Sequence, residues 1–148
     1  MSDKLGIRGY DFVEFYVGSA KMVAYWYARA MGLEIKGYMG PETGSRDRIS
    51  YYLQKNELKI VVSSAVQPSC HEILSFINKH GDGVKRWSIE VDDVDKIFSH
   101  AIANGAVISK RPHKLEDERG TIEQAAIRLY DDTELVYVNR DSYPHIFY

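Results

Sequence analysis

The chain has 148 residues, 45% hydrophobic and 27% charged, which suits one compact globular domain with a buried core. Its formal net charge of -2 gives no reason to expect nucleic acid or an anionic membrane as partner, and no apolar run approaches the roughly 20 residues of a membrane span. The opening MSDKLGIRGY lacks the apolar core of a secretion signal, and the single cysteine, Cys70, excludes an intramolecular disulfide and multi-cysteine zinc sites, so a cytoplasmic protein is expected.

Residues 10–17, YDFVEFYV, are aromatic and β-branched and read as a strand. Gly18-Ser19 breaks it, and Ser19 is placed to cap the helix AKMVAYWYARAM. Met22, Val23, Trp26 and Ala30 fall at helical spacing and form its expected buried stripe, with Gly32 as its C-terminal stop. Strands are expected at 33–39, 48–55 and 58–65, with turn chemistry in GPETGSRD between the first two and at Asn56-Glu57 between the last two. The β-branched run of 58–65 points to burial on both faces. After Pro68, SCHEILSFINKH reads as a helix with Ser69 and Glu72 as a capping box, apolar at Ile73, Leu74, Phe76 and Ile77, and closed by Gly81.

The pattern then restarts. VKRWSIEV (84–91) reads as a strand, 92–104 as a helix capped by Asp92 or Asp93, 106–112 as a strand, KLEDERG (114–120) as a charged loop, and 121–130 and 134–140 as strands before an extended aromatic exit. Gly32 and Gly105 lie 73 residues apart, and Val17 and Val91 lie 74 apart. Matching offsets at two landmarks indicate an internal duplication. The expected fold is α+β: two βαβββ modules, at about 8–65 and 84–140, joined by a linker helix at about 69–80 into a single domain over 1–148. Each module is expected to be a curved sheet carrying one helix on its convex face.

This paired βαβββ pattern resembles the vicinal oxygen chelate superfamily, which includes glyoxalases, bleomycin-resistance proteins and extradiol dioxygenases. Within it, VEFYVGSAKMVAYWYARAMGLE, GPETGSRDRISYYLQKNELKIVVSSA, HGDGVKRWSIEVDDVDKI and NGAVISKRP are similar, in order and over nearly the whole chain, to the N-terminal domain of the 4-hydroxyphenylpyruvate dioxygenase family. GPETGSR and HGDGVK are the most specific of these stretches. The resemblance implies an Fe(II)-dependent parent enzyme that converts 4-hydroxyphenylpyruvate and O2 to homogentisate in tyrosine catabolism. Its iron would be held by two histidines and one carboxylate in a C-terminal domain. On that expectation this chain is an N-terminal domain alone, whose partners are the missing C-terminal catalytic domain and further copies of itself, with no iron bound by this chain. Hydroxymandelate synthase shares the architecture and is the sibling expectation.

The superfamily's ligand positions can be tested residue by residue. The resemblance puts Phe12 at the first-strand position, Arg86 at its counterpart in the second module, and Val136 or Tyr137 at the last-strand carboxylate position. None of these supplies an iron ligand of the required kind, so no catalytic, cofactor-binding or metal residue is expected in this chain. His71, His80, His100, His113 and His145 show no paired spacing and are expected in surface roles, with His113 in a loop. Arg86 is expected to pair with Glu90 or Glu14 rather than to bind an anion. Asp11 and Glu14, three apart on a strand, are expected on opposite faces. Cys70, beside a helix start, could carry a lowered pKa but is read as incidental. Two other classes remain open: a free-standing, metal-independent binding protein of the bleomycin-resistance type, and a metal enzyme assembled across a dimer from Glu14 and Glu90.

Overall fold

The computed structural model describes residues 4–143, so His145 and residues 144–148 of the expected aromatic exit lie outside the described residues. The elements run β1 (Ile7–Tyr16), α1 (Ala20–Met31), β2 (Glu34–Met39), a 3-10 turn (Pro41–Thr43), β3 (Arg48–Lys55), β4 (Leu58–Ala65) and α2 (His71–His80). They continue with β5 (Gly83–Val91), α3 (Val94–Ala103), β6 (Val107–Asp117), β7 (Gly120–Tyr130) and β8 (Thr133–Asn139). The chain divides into two compact units, one of Phe12–Lys85 and one of the residues up to Asp11 with those from Arg86 onward.

The first unit orders its strands β2-β3-β4-β1. The β2/β3 and β3/β4 ladders are antiparallel. β1 returns parallel to β4, with Glu14 opposite Val61. α1 supplies the crossover that a parallel pair requires. Its first turn is satisfied twice, by Ser19 Oγ accepting from Met22 N–H at 3.4 Å and by Ser64 Oγ accepting from Ala20 N–H at 3.0 Å. Gly32 in the left-handed region closes it.

The helix buries small residues. Ala20 and Ala24 pack on Val17, Leu33, Leu53, Ile60 and Val62, with Val23, Tyr27 and Ala28 at the margin. This corrects the expected stripe: of Met22, Val23, Trp26 and Ala30 only Val23 borders the core, and the other three are exposed. The close approach of helix to sheet selects alanine, so the larger residues take the opposite side. α2 packs Cys70, Ile73 and Phe76 on Tyr16, with Leu74 exposed. Its N-cap is Cys70, which makes no side-chain cap bond, so the Ser69–Glu72 capping box does not form. Glu72 is drawn instead to Arg48, 3.1 Å away on β3.

The second unit repeats the plan in the order β5-β8-β7-β6. β5 and β8 are parallel, with Arg86 opposite Glu134 and Ser88 opposite Val136. Glu14 and Ser88 are 74 residues apart, and each lies in the parallel ladder of its own module, opposite Val61 and Val136. α3 is capped by Asp93, whose carboxylate accepts from Lys96 N–H at 3.0 Å. It packs Val94, Ile97 and Phe98 on Val91, Ala125, Ile127 and Tyr137. β6 continues through Asp117, so Lys114–Asp117 are strand, not loop, and His113 lies within a strand. β6 ends the strand order, and an edge strand tolerates charge on its open side. Lys114 and Glu123 even pair across the β6/β7 ladder at 3.3 Å.

Candidate functional site

The sheet face turned away from the helix carries a set of buried polar residues in each unit. In the first unit, Glu14 on β1 accepts a hydrogen bond from Ser63 on β4 at 2.7 Å, and the Ser63 hydroxyl lies 2.7 Å from that of Ser50 on β3. All three are buried. Strand alternation puts Phe12 on the same side as Glu14.

In the second unit, Glu134 on β8 meets Arg86 Nε at 3.3 Å and accepts from the Ser109 hydroxyl on β6. Arg86 therefore pairs with an acid, as expected, but its partner is Glu134 and not Glu90 or Glu14: the parallel β5/β8 register sets the two directly opposite each other. The register also separates the two last-strand candidates. Tyr137 belongs to the core under α3, whereas Val136 stands opposite Ser88 on the other face, alternating with it. Asp11 accepts from Ser88 at 2.9 Å and takes a two-pronged contact from Arg140, with Nε and Nη2 each at 3.0 Å. Each of the two early carboxylates thus has a hydroxyl donor within its own unit, Ser63 for Glu14 and Ser88 for Asp11.

Strands β1, β5 and β8 contain no histidine. Phe12, Arg86 and Val136 offer iron no ligand, and the nearby acids are already held by hydroxyl or guanidinium donors. The donors at these positions do not fit a two-histidine, one-carboxylate iron set. The described histidines lie elsewhere. His71 and His80 are the exposed ends of α2, and the His80 ring sits 4.9 Å from that of Phe76. His100 is exposed on α3, where its carbonyl accepts from the Asn104 amide at 2.8 Å. His113 Nδ1 lies 2.8 Å from the Arg111 carbonyl oxygen, and its Nε2 lies 3.2 Å from Gln124 Nε2. His113 borders a cavity of about 210 Å³ with Val94, Asp95, Pro112, Lys114 and Glu123, whose charges are partly spent on the Lys114–Glu123 pair. Cys70 is buried, and that burial pushes its thiol above the ordinary range, the reverse of an activated nucleophile.

The two most specific sequence stretches have structural work. In HGDGVK, Gly81 ends α2 and Asp82 Oδ1 accepts from Gly18 N–H at 2.9 Å, tying the end of α2 to the β1–α1 turn. Lys85 then lies 5.8 Å from the ring centroids of both Tyr16 and Phe76. In GPETGSR, the Thr43 hydroxyl accepts from Gly40 N–H at 2.9 Å, and the Tyr38 hydroxyl donates to Glu42 at 2.7 Å, which pushes the phenol up to about 12. Sequence reasoning missed the Asp82–Gly18 tie. Its only local signal is an acid between two glycines, in place of the lysine and hydroxyl of a phosphate loop.

Two βαβββ modules, each closing its last strand parallel to its first, define the vicinal oxygen chelate fold, and solved structures share it. A triple variant of 4-hydroxymandelate synthase from Streptomyces coelicolor superposes with a TM-score of 0.84 at 23% identity, over 95% of this chain and 40% of that one. Methylmalonyl-CoA epimerase from Mycobacterium tuberculosis superposes with a TM-score of 0.70 at 17% identity, over 94% of this chain and 92% of that one. No protein-family model matches the chain. By sequence the chain is similar to the 4-hydroxyphenylpyruvate dioxygenases. It is 38% identical to that of Yarrowia lipolytica over 143 residues and 37% identical to that of Caenorhabditis elegans over 138. These matches cover 95% and 93% of this chain but only 36% and 35% of the two relatives, so the chain spans about a third of their length.

Proposed function

We propose that the chain is the N-terminal, non-metal domain of a 4-hydroxyphenylpyruvate dioxygenase, which acts as a scaffold for a catalytic domain and for contacts between copies. One observation carries this reading: 38% identity to a dioxygenase over 95% of the chain, combined with Phe12, Arg86 and Val136 at the strand positions where the superfamily places ligands. In the parent enzyme, Fe(II) would supply oxygen activation and the conversion of 4-hydroxyphenylpyruvate to homogentisate. The residues of this chain would shape and stabilise the domain beside it. Arg86 supplies a fixed positive charge to Glu134, so that carboxylate needs no metal to be stable on a sheet face. The two modules with their linker helix form one domain in this reading. A cytoplasmic setting fits it too, since the single buried thiol requires no oxidising compartment.

The test is titration of the purified chain with Fe(II) and 4-hydroxyphenylpyruvate. Background-level iron binding and no homogentisate are expected. Stoichiometric tight binding with homogentisate formation would overturn the scaffold role. The superposition on hydroxymandelate synthase favours one sibling reading, the N-terminal domain of such a synthase. It is separated by the product, hydroxymandelate or homogentisate, that the full-length parent makes.

A further inference from the structure

α3 hands the chain to β6 through Asn104, Gly105 and Ala106. The chain has four asparagines, Asn56, Asn78, Asn104 and Asn139, and the residues after them are Glu57, Lys79, Gly105 and Arg140. Asn104 alone precedes a glycine. A side-chain carboxamide can be attacked by the backbone nitrogen of the next residue, and a side chain on that residue crowds the approach. Gly105 brings no side chain. Its φ of +94 lies where glycine is at ease, and a Cβ built there would meet nothing within 4 Å, so the surroundings leave room for the two groups to meet. Both residues are exposed, so water reaches them.

While the helix end is closed, the reacting groups are tied elsewhere. Asn104 Nδ2 donates to the His100 carbonyl at 2.8 Å, which turns the carboxamide back along the helix. Gly105 N–H donates to the Ile102 carbonyl at 3.0 Å, and Ala106 N–H to the Ala101 carbonyl at 3.0 Å. These bonds satisfy carbonyls that a helix end leaves over. They are few and lie at the surface, where a last turn opens far more often than a core does.

We propose that Asn104 is a deamidation site gated by the last turn of α3. When the turn opens, the Gly105 nitrogen gives up its proton and bonds to Asn104 Cγ. The Cγ–Nδ2 bond breaks, and Nδ2 leaves as ammonia with that proton. Water, the only co-reactant, then opens the cyclic imide at one of its two carbonyls and restores the N–H. Opening at Cγ gives aspartate. Opening at the main-chain carbonyl gives isoaspartate, whose extra methylene enters the backbone between α3 and β6. Either product replaces the donor to the His100 carbonyl with a carboxylate at the negative end of the helix, where such a charge is unfavourable. Each conversion therefore weakens the turn that held it back.

The experiment incubates the full chain in warm, mildly alkaline buffer, natively and in concentrated urea, and maps the mass gain of OH for NH2 peptide by peptide. Asp82, the acid before Gly83, has no ammonia to lose, so the gain reports amides only. In the native chain the gain is expected at Asn104, about 10–100-fold slower than in urea, the protection that a few surface hydrogen bonds give. Asn104→Gln, whose ring would be one atom larger, should abolish it. Ala101→Gly loosens the last turn and should raise the native rate about 5-fold while leaving the urea rate unchanged. Ala28→Gly makes the same change in α1 and should leave the native Asn104 rate as it is, which separates opening of this turn from unfolding of the whole chain. Equal rates in native buffer and urea would overturn the gate. So would equal acceleration by Ala28→Gly and Ala101→Gly. An Asn104 that stays intact natively while the urea sample converts, or a native gain at another asparagine first, overturns the site itself.

Discussion

Gly9 and Gly120 share a backbone conformation, φ 146, that L side chains rarely adopt, but their surroundings differ. A Cβ built on Gly9 meets nothing within 4 Å. On Gly120 it collides with the Ser142 carbonyl oxygen and lies 3.3 Å from the Tyr143 ring. The pair therefore separates conformational strain from close approach. Alanine at either position costs about 1–3 kcal/mol for the strained φ, and the gain from a stiffer unfolded chain is the same for both. At Gly120 the segment 140–143 must also move. That forfeits the Thr121 N–H bond to Ser142 (3.2 Å), worth about 1 kcal/mol. It also forfeits part of the burial of Tyr143, which is packed on Ile122 and Val138 and donates to Asp117 at 2.8 Å. Partial unseating of a ring of that size adds about 1–2 kcal/mol. Gly120→Ala should thus be less stable than Gly9→Ala by roughly 2–3 kcal/mol, a midpoint difference of about 1–1.5 M in urea at a slope near 2 kcal/mol/M. Equal midpoints for the two variants would refute the view that residues 140–143 are strapped onto the β7 start.

Arg86→Met should cost about 3 kcal/mol by stranding the Glu134 carboxylate, whereas Arg86→Met with Glu134→Leu should recover most of it; urea melts of the double-mutant cycle decide, and additive losses would sink the pairing. Asp141 accepts from Arg8 at 2.6 and 3.0 Å and from Asn139, contacts that hold its carboxyl below the ordinary range. A depressed folded pKa means the stabilisation is complete above about pH 4 and is lost as the pH falls further. Asp141→Asn should lower Tm at neutral pH and flatten its decline in acid, and an unchanged acid slope would contradict this clasp. Because burial raises the Cys70 thiol, a disulfide reagent at mildly alkaline pH should leave the native chain unlabelled and label it fully in denaturant; rapid native labelling would refute the packing under α2.

The limits of α1 were legible in the sequence because they rest on local chemistry, the Ser19 cap and the Gly32 stop. Its orientation was not. Two apolar stripes half a turn apart have the same period, and the bulkier one, Met22 with Trp26, carries the stronger hydropathy signal although Ala20 and Ala24 meet the sheet. The repeat was legible because it is an offset in sequence, and the fold class followed from it. Pairings made in three dimensions were not: Arg86 finds Glu134 through the parallel β5/β8 register, and Glu72 on α2 finds Arg48 on β3. The charged run 114–120 misled for a related reason. A turn and a solvated edge strand have the same composition, and only the cross-strand pairing to Glu123 and Ile122 tells them apart.

Those register pairings bear on how a sheet face can carry buried carboxylates. A carboxylate on a buried sheet face must be given donors or a cation. Glu14 is met by the Ser63 hydroxyl, Asp11 by Ser88 and the fork of Arg140, and Glu134 by Ser109 and Arg86. A guanidinium meets the charge requirement that a cation would meet, and it is covalently fixed to the sheet it neutralises. Removing Arg86 alone would therefore strand the Glu134 carboxylate with Ser109 as its remaining named donor.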